Sequence, residues 1–338
     1  ELLAVMKHVR FAVMAEGFVR ETVGAWPALR SVEGQSMLSN AVLPVADGTK
    51  VVPRWGFGPR LIYLVGGGSE GGDLSSVEQY DPQAASWTQR AGMMAQRSHH
   101  GCVALEGKLY AVGGRGPSSQ SLDTAEVYDP QTDGWQPLAK MSTARSVLGL
   151  AAIGDKIYAI GGCADGSAVE SVEAYDPQLG AWAPVASMSG MRESHATVVL
   201  DSKIYVMGGV ATGLLDTVEV YDPQADSWQQ VASMPRGLYS HAAAAMGGKI
   251  YVTGGTTQGS SACVYDPQAD AWMQLASMPN TRRHHASAAV GGKLYVFGGV
   301  DAGGRQLDTA EVYDPASDSW APVSSLTSVR GCVAAVAL

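Results

Sequence analysis

The sequence predicts an all-β fold, a six-bladed β-propeller, from two regularities of spacing. Six tyrosines are each followed seven residues later by a tryptophan: Tyr80/Trp87, Tyr128/Trp135, Tyr175/Trp182, Tyr221/Trp228, Tyr265/Trp272 and Tyr313/Trp320. A Gly-Gly pair precedes each, starting at Gly66, Gly113, Gly161, Gly208, Gly254 and Gly298, in steps of 47, 48, 47, 46 and 44 residues. Such a period belongs to propellers, solenoids and arrays, whose units bury their apolar faces against their neighbours.

The unit at 102–135 justifies each element in order. An apolar run at 102–105 leads into a turn at Glu106 and Gly107, and a second run at 108–112 ends at Gly113 and Gly114. A polar, variable stretch follows. A third run at 125–128 is stopped by Asp129 and Pro130, and Trp135 and Leu138 fall on a fourth. Short runs of Val, Ile, Tyr and Trp between Gly, Asp-Pro and polar clusters read as strands. Gly-Gly suits a close backbone approach or a positive φ. Pro after Asp cannot donate to a ladder, so it fits the turn between the third and fourth strands. Four strands repeated six times make the propeller, which is assigned to residues 60–338.

The chain ends favour closure. The first unit lacks its leading run, and residues 330–338 align without gaps onto 97–105, ending in matching Val-Ala-Leu triplets. Residues 330–338 are therefore expected to complete the first blade and leave few open edges. Trp135, Trp182 and Trp228 are expected to pack between neighbouring blades.

Gly-Gly, then Glu-x-Tyr-Asp-Pro, then Trp with Met six residues later, then Arg-x-x-His, resembles the kelch repeat. The unit holding Tyr265 departs most: Cys263 replaces the Glu of the other five (Glu78, Glu126, Glu173, Glu219, Glu311), and its loop after Gly-Gly is shorter. Ahead of the propeller, Val19, Val23 and Trp26 are spaced i, i+4, i+7, a helical face, and Pro27 ends or kinks it. Residues 1–14 resemble the end of the BACK region of BTB-BACK-kelch proteins, with Ala12 where that family has Pro. Residues 1–43 thus read as a helical fragment and 44–59, rich in Pro and Gly, as a linker. A fragment this small is not expected to form a core alone. It is expected to pack on the propeller or fray, as part of a longer protein.

Composition narrows the function classes. No run of 18 apolar residues occurs, so no membrane span is expected, and the N-terminus lacks the order of a signal peptide. Cys102, Cys163, Cys263 and Cys332 are scattered over different units without a CxxC, which reads as free thiols. A net charge of −9 with no basic stripe argues against nucleic acid. There is no Gly-x-Ser-x-Gly, His-Glu-x-x-His or Gly-x-x-x-x-Gly-Lys, so no enzyme and no cofactor are expected.

Two registers remain. His100, His195, His241 and His285 lie 13 residues after a Trp, where the other units have Leu148 and Val333. Repetition marks them as structural imidazoles, and no metal site is expected from them. His99 and His284 break the repeat and are better candidates for contacts. Ten residues after five of the six Trp stand Arg97, Arg145, Arg192, Arg282 and Arg330; the remaining position, after Trp228, is Leu238, with Arg236 two residues earlier. Each Arg either supports its own turn or joins a basic crown that grips an acidic peptide, a role that suits a bidentate guanidinium.

The loops after Gly-Gly vary most and hold Arg115, Asp165, Thr212, Thr256, Thr257, Gln258, Asp301 and Arg305. Carried over by position, the resemblance to kelch-type substrate receptors implies contacts at Arg97, Ser98, His99, Arg115, Arg145, Arg192, Ser194, Tyr239, Arg282, Arg283, His284 and Arg330. It also implies a cytoplasmic or nuclear substrate-recognition module that passes a bound protein to a cullin-RING ubiquitin ligase, with the cullin reached through a BTB region outside this chain. The fragment is expected to be monomeric. Actin binding and a sugar-active kelch enzyme stand as alternatives.

Overall fold

The computed structural model describes residues 61–256 and 259–338 and, in the separate unit of residues 1–60, a short ladder of Leu43–Pro44 with Lys50–Val51, at the boundary of the segment read as a linker and within it. Of the helical fragment expected at 1–43, residues 1–42 lie outside the described residues, as do Thr257 and Gln258.

Six four-stranded sheets succeed one another along residues 61–338. The second blade runs, from inside to outside, Gly101–Leu105, Lys108–Val112, Ala125–Asp129 and Gly134–Pro137. The first blade is shared between the two ends of the propeller sequence: Ala334–Ala337 lies innermost, antiparallel to Ile62–Val65, followed by Val77–Asp81 and Ser86–Arg90. Leu61 and Leu338 exchange both backbone hydrogen bonds, at 3.0 and 2.9 Å. The six innermost strands surround a central channel lined by small and aliphatic side chains such as Ala151, Val199, Ala244 and Val336.

Burial follows each strand's place in the blade. Second strands such as Ile62–Val65 and Ile157–Ile160 within Lys156–Ile160 are buried at every apolar position, because neighbouring blades cover both faces. Fourth strands form the outer edge and alternate between exposed and half-buried. On each of them the repeat Trp packs against the blade before it. Its indole N–H donates to a carbonyl there: Trp135 to Ala91 (2.9 Å), Trp182 to Ala139 (2.9 Å) and Trp228 to Ala186 (2.8 Å). Trp87 donates to Ser324 across the closure at 3.2 Å.

In four blades a carboxylate adds a second link. Tyr128 Oη donates to Asp133 Oδ1 at 2.6 Å, and the same oxygen accepts the Ala91 N–H of the preceding blade at 3.0 Å. Asp226, Asp270 and Asp318 repeat this bridge.

The Gly-Gly pairs mark where a second strand meets the connection that leaves its blade for the next one. A Cβ on Gly66 would lie 2.6 Å from the Arg97 carbonyl oxygen. Gly67, at φ 100°, donates its N–H to that same oxygen at 2.9 Å. Any side chain here would push the connection off the blade.

Removing residues 334–338 should therefore cost on the order of 4 kcal/mol, since it strips Val336 and Leu338 from the core and bares the edge of Ile62–Val65. Thermal melts of the truncated and full chains measure this, and an unchanged melting temperature would exclude the shared blade.

Candidate functional site at the channel mouth

The connections between blades do gather at one mouth of the channel, but the five repeat arginines point away from it. Arg97, Arg145, Arg192, Arg282 and Arg330 are 1, 0, 3, 1 and 1% exposed. Each enters the blade it leads into and pairs with the Glu of that blade's Glu-x-Tyr-Asp-Pro. The pairs are Arg97–Glu126 (2.8 Å), Arg145–Glu173 (2.8 Å), Arg192–Glu219 (2.5 Å), Arg282–Glu311 (3.1 Å) and Arg330–Glu78 (2.6 Å). The same guanidinium donates to the carbonyl of the first Gly of the pair, as Arg145 does to Gly161 at 3.0 Å. The Glu also accepts backbone N–H groups from the connection, Ser142 to Glu173 at 2.8 Å being one. Burial draws the guanidinium of Arg145, Arg282 and Arg330 down from its ordinary range, and the partner carboxylate opposes this. An exposed crown of these five is thus corrected: their charge is spent inside the blades. Ser98, 3% exposed, is buried with them.

The fifth blade shows the pair by its absence. Leu238 stands at the Arg position and Cys263 at the Glu position, and both sit in one apolar cluster with Met234 and Val252. The unit that lacks the cation also lacks the anion. That joint loss is the signal in the sequence that could have assigned the arginines to the interior.

The mouth is built by backbone. Two residues after each Arg position stand His99, Val147, Ser194, Ser240, His284 and Cys332, every one left-handed, with φ of 53, 48, 55, 53, 52 and 54°. Each donates its N–H to the carbonyl of the one before it: Val147 to His99 (2.9 Å), Ser194 to Val147 (3.0 Å), Ser240 to Ser194 (2.8 Å), His284 to Ser240 (2.8 Å), Cys332 to His284 (2.7 Å) and His99 to Cys332 (3.1 Å). The last bond closes the circle. One residue earlier, the connection pairs with the residue after Gly-Gly, as Ser98 does with Arg115 and Arg283 with Val300.

This places the remaining sequence-derived candidates together. His99, Arg115, Ser194, Tyr239, Arg283 and His284 are half-buried in the connections and post-Gly-Gly loops around the mouth. The imidazoles of His99 and His284 meet edge to face with centroids 5.4 Å apart. Arg115 and Arg283 make no ion pair among the described residues, and their charges reach His284 and Cys332. Arg305, in contrast, pairs with Asp301 on an exposed loop at 3.4 Å. Cys332 was read as a scattered thiol. Its register, 12 residues after Trp320, is that of His99 after Trp87 and His284 after Trp272, and that register is where its place at the mouth was written.

Beneath the ring a cavity of about 140 Å³ is floored by His100, His195, His241 and His285 with Leu148 and Val333. These imidazoles wedge against Gly-Gly pairs: a Cβ on Gly114 would lie 2.6 Å from His100 Cβ. Burial holds His100 and His195 down to about 3 and His241 down to about 4, so all three are neutral at physiological pH.

A family model described as the KLHDC2/KLHL20/DRC7 Kelch-repeats domain matches residues 57–255, and a Kelch motif model matches 237–279 and 281–327. Kelch-like protein 8 of Caenorhabditis elegans is 48% identical over 54 residues, 16% of this chain and 8% of that protein. Kelch-like protein 7 of Rattus norvegicus is 41% identical over 51 residues, 15% of this chain and 9% of that protein. The matches thus span less than a tenth of these relatives. The solved structure of YjhT superposes with a TM-score of 0.68 at 15% identity, covering 78% of this chain and 94% of that one. At that identity it shows the fold.

Two outcomes are expected. Glu219→Cys alone leaves Arg192 buried without its partner and should cost about 3–5 kcal/mol. Adding Arg192→Leu rebuilds the apolar pair of the fifth blade and should return most of that stability in the same melts. The second concerns pH. The folded chain keeps the floor histidines neutral to about 3–4, whereas the unfolded chain protonates them near 6.5. Their stability is therefore complete above pH 6.5 and falls as pH drops towards 4, with a slope of at most about 1.4 kcal/mol per pH unit for each histidine. His195→Leu, copying Leu148, should flatten the melting temperature against pH, and an equal slope in the variant would refute the assignment.

Proposed function

The chain belongs to the KLHDC2/KLHL20/DRC7 Kelch-repeats domain family, and on that premise we propose that its propeller is a protein-interaction module that captures an acidic segment at the channel mouth. The observation that carries this is the contrast among the arginines. Five are buried and neutralised, whereas Arg115 and Arg283 stand half-exposed at the mouth without an ionic partner among the described residues. A guanidinium in that position offers a planar fork to a carboxylate.

We further propose that the module serves as the substrate-recognition part of a cullin-RING ubiquitin ligase adaptor. That reading is supported by the likeness of residues 1–14 to a BACK region and by the local identity with kelch-like proteins.

Arg115→Glu and Arg283→Glu should each weaken binding of acidic peptides at least tenfold, the equivalent of losing one charged hydrogen bond of about 1.5–3 kcal/mol. Their melting temperatures should stay near that of the parent. Affinity should also fall as ionic strength rises from about 0.01 to about 0.15 M, since the screening length contracts from about 30 to about 8 Å. Fluorescence polarisation with labelled acidic and charge-neutral peptides reads both effects. Equal affinity for the two peptides would refute the acidic-segment reading.

A further inference from the structure

We propose that His99, His284 and Cys332 form a binding site for a single thiophilic transition-metal ion, zinc(II), at the mouth of the channel. The three side chains each offer one ligand atom, and those atoms already lie within 4.8 Å of one another. A tetrahedral zinc with nitrogen at about 2.0–2.1 Å and sulfur at about 2.3 Å needs its donors roughly 3.5 Å apart, so small side-chain rotations complete the site. Two imidazoles and a thiolate are a borderline-soft set that selects zinc over calcium or magnesium.

The backbone holds these donors in place. They hang from three consecutive links of the hydrogen-bonded ring: Cys332 N–H donates to His284 at 2.7 Å, and His99 N–H donates to Cys332 at 3.1 Å. Their φ values, 52, 54 and 53°, are nearly equal, so the three side chains leave the ring in the same way from adjacent blades. The other half of the ring carries Val147, Ser194 and Ser240, which make no such set. The donors are thus confined to one side of a six-fold frame.

Outer contacts suit the assignment. Ser98 Oγ lies 3.1 Å from His99 Nδ1. With Nδ1–H donating to that hydroxyl, the Nε2 lone pair is free for the ion, a recurrent means of orienting a metal-bound imidazole. Burial keeps His99 and His284 neutral at physiological pH, with lone pairs available. Burial pushes the Cys332 thiol up to about 12, with Arg115 and Arg283 opposing it in part, so the thiolate forms only as the ion displaces the proton. The thiolate formed on binding, whose proton leaves to solvent, cancels one of the two charges of the ion. The cavity beneath, about 140 Å³, leaves a fourth coordination position open to water or to an atom of a bound partner.

The test uses the full chain, stripped with a chelator and titrated with cobalt(II) as a spectroscopic substitute for zinc. A thiolate-to-cobalt charge-transfer band with tetrahedral d–d absorption, saturating at one equivalent and displaced by zinc(II), is expected. Cys332→Ser should abolish the charge-transfer band, and His99→Ser and His284→Ser should each weaken zinc binding at least tenfold. Serine occupies the same left-handed ring position at Ser194 and Ser240, so the variants should fold, which melts verify. Cys163→Ser should leave the titration unchanged. As an independent readout, zinc should raise the melting temperature of the parent and not of Cys332→Ser. Absence of a thiolate band, a band that survives Cys332→Ser, or affinity unchanged in both histidine variants would overturn the proposal.

Discussion

A closed circle of six backbone hydrogen bonds sets the geometry of this propeller. Residues from six different connections, each in the left-handed region, pass N–H to carbonyl from blade to blade until Cys332 receives the bond from His99. Non-glycine residues adopt that conformation at a cost of roughly 1–2 kcal/mol each. The circle satisfies twelve backbone groups that would otherwise face one another unpaired at the rim. Because main chain alone makes these bonds, the side chains at the six positions are free to differ. They do differ, as two His, two Ser, one Val and one Cys. The most regular part of the backbone thus carries the least regular chemistry, and both the proposed partner surface and the proposed metal site lie there.

One layer outward the rule reverses. The buried Arg–Glu pairs join side chain to side chain and to the Gly-Gly carbonyls, so each member constrains the others. A buried ion pair is not in itself a large gain in stability, since desolvation offsets most of the attraction. The fifth blade demonstrates this by folding the same way around Leu238 and Cys263. What the pair cannot tolerate is half replacement, and this chain shows either both charges or neither.

The fold was legible because its signals are local and repeated: the Tyr–Trp spacing placed the third and fourth strands in register, with Tyr128 opposite Trp135 and Tyr221 opposite Trp228. The shared first blade was legible from the likeness of 330–338 to 97–105. The direction of the arginines was not, since nothing within a turn tells whether a long side chain reaches solvent or an acid 29 residues onward, as Arg97 reaches Glu126. The meeting of His99, His284 and Cys332 was hidden for a different reason: only closure of a ring brings connections so distant in sequence face to face. Their shared register after the Trp was visible, but register predicts contact only once the ring is known to close so narrowly.

The shared first blade also orders events during synthesis. Ile62–Val65 is the first of the propeller strands to be made, yet its inner neighbour, Ala334–Ala337, is made some 270 residues later. At roughly 5–20 residues per second a ribosome takes about 15–50 s to supply it. Throughout that interval the first sheet has three strands and an unpaired apolar edge, the kind of template that recruits other strands. Until then that edge is open to any extended apolar strand that reaches it before Ala334–Ala337 does.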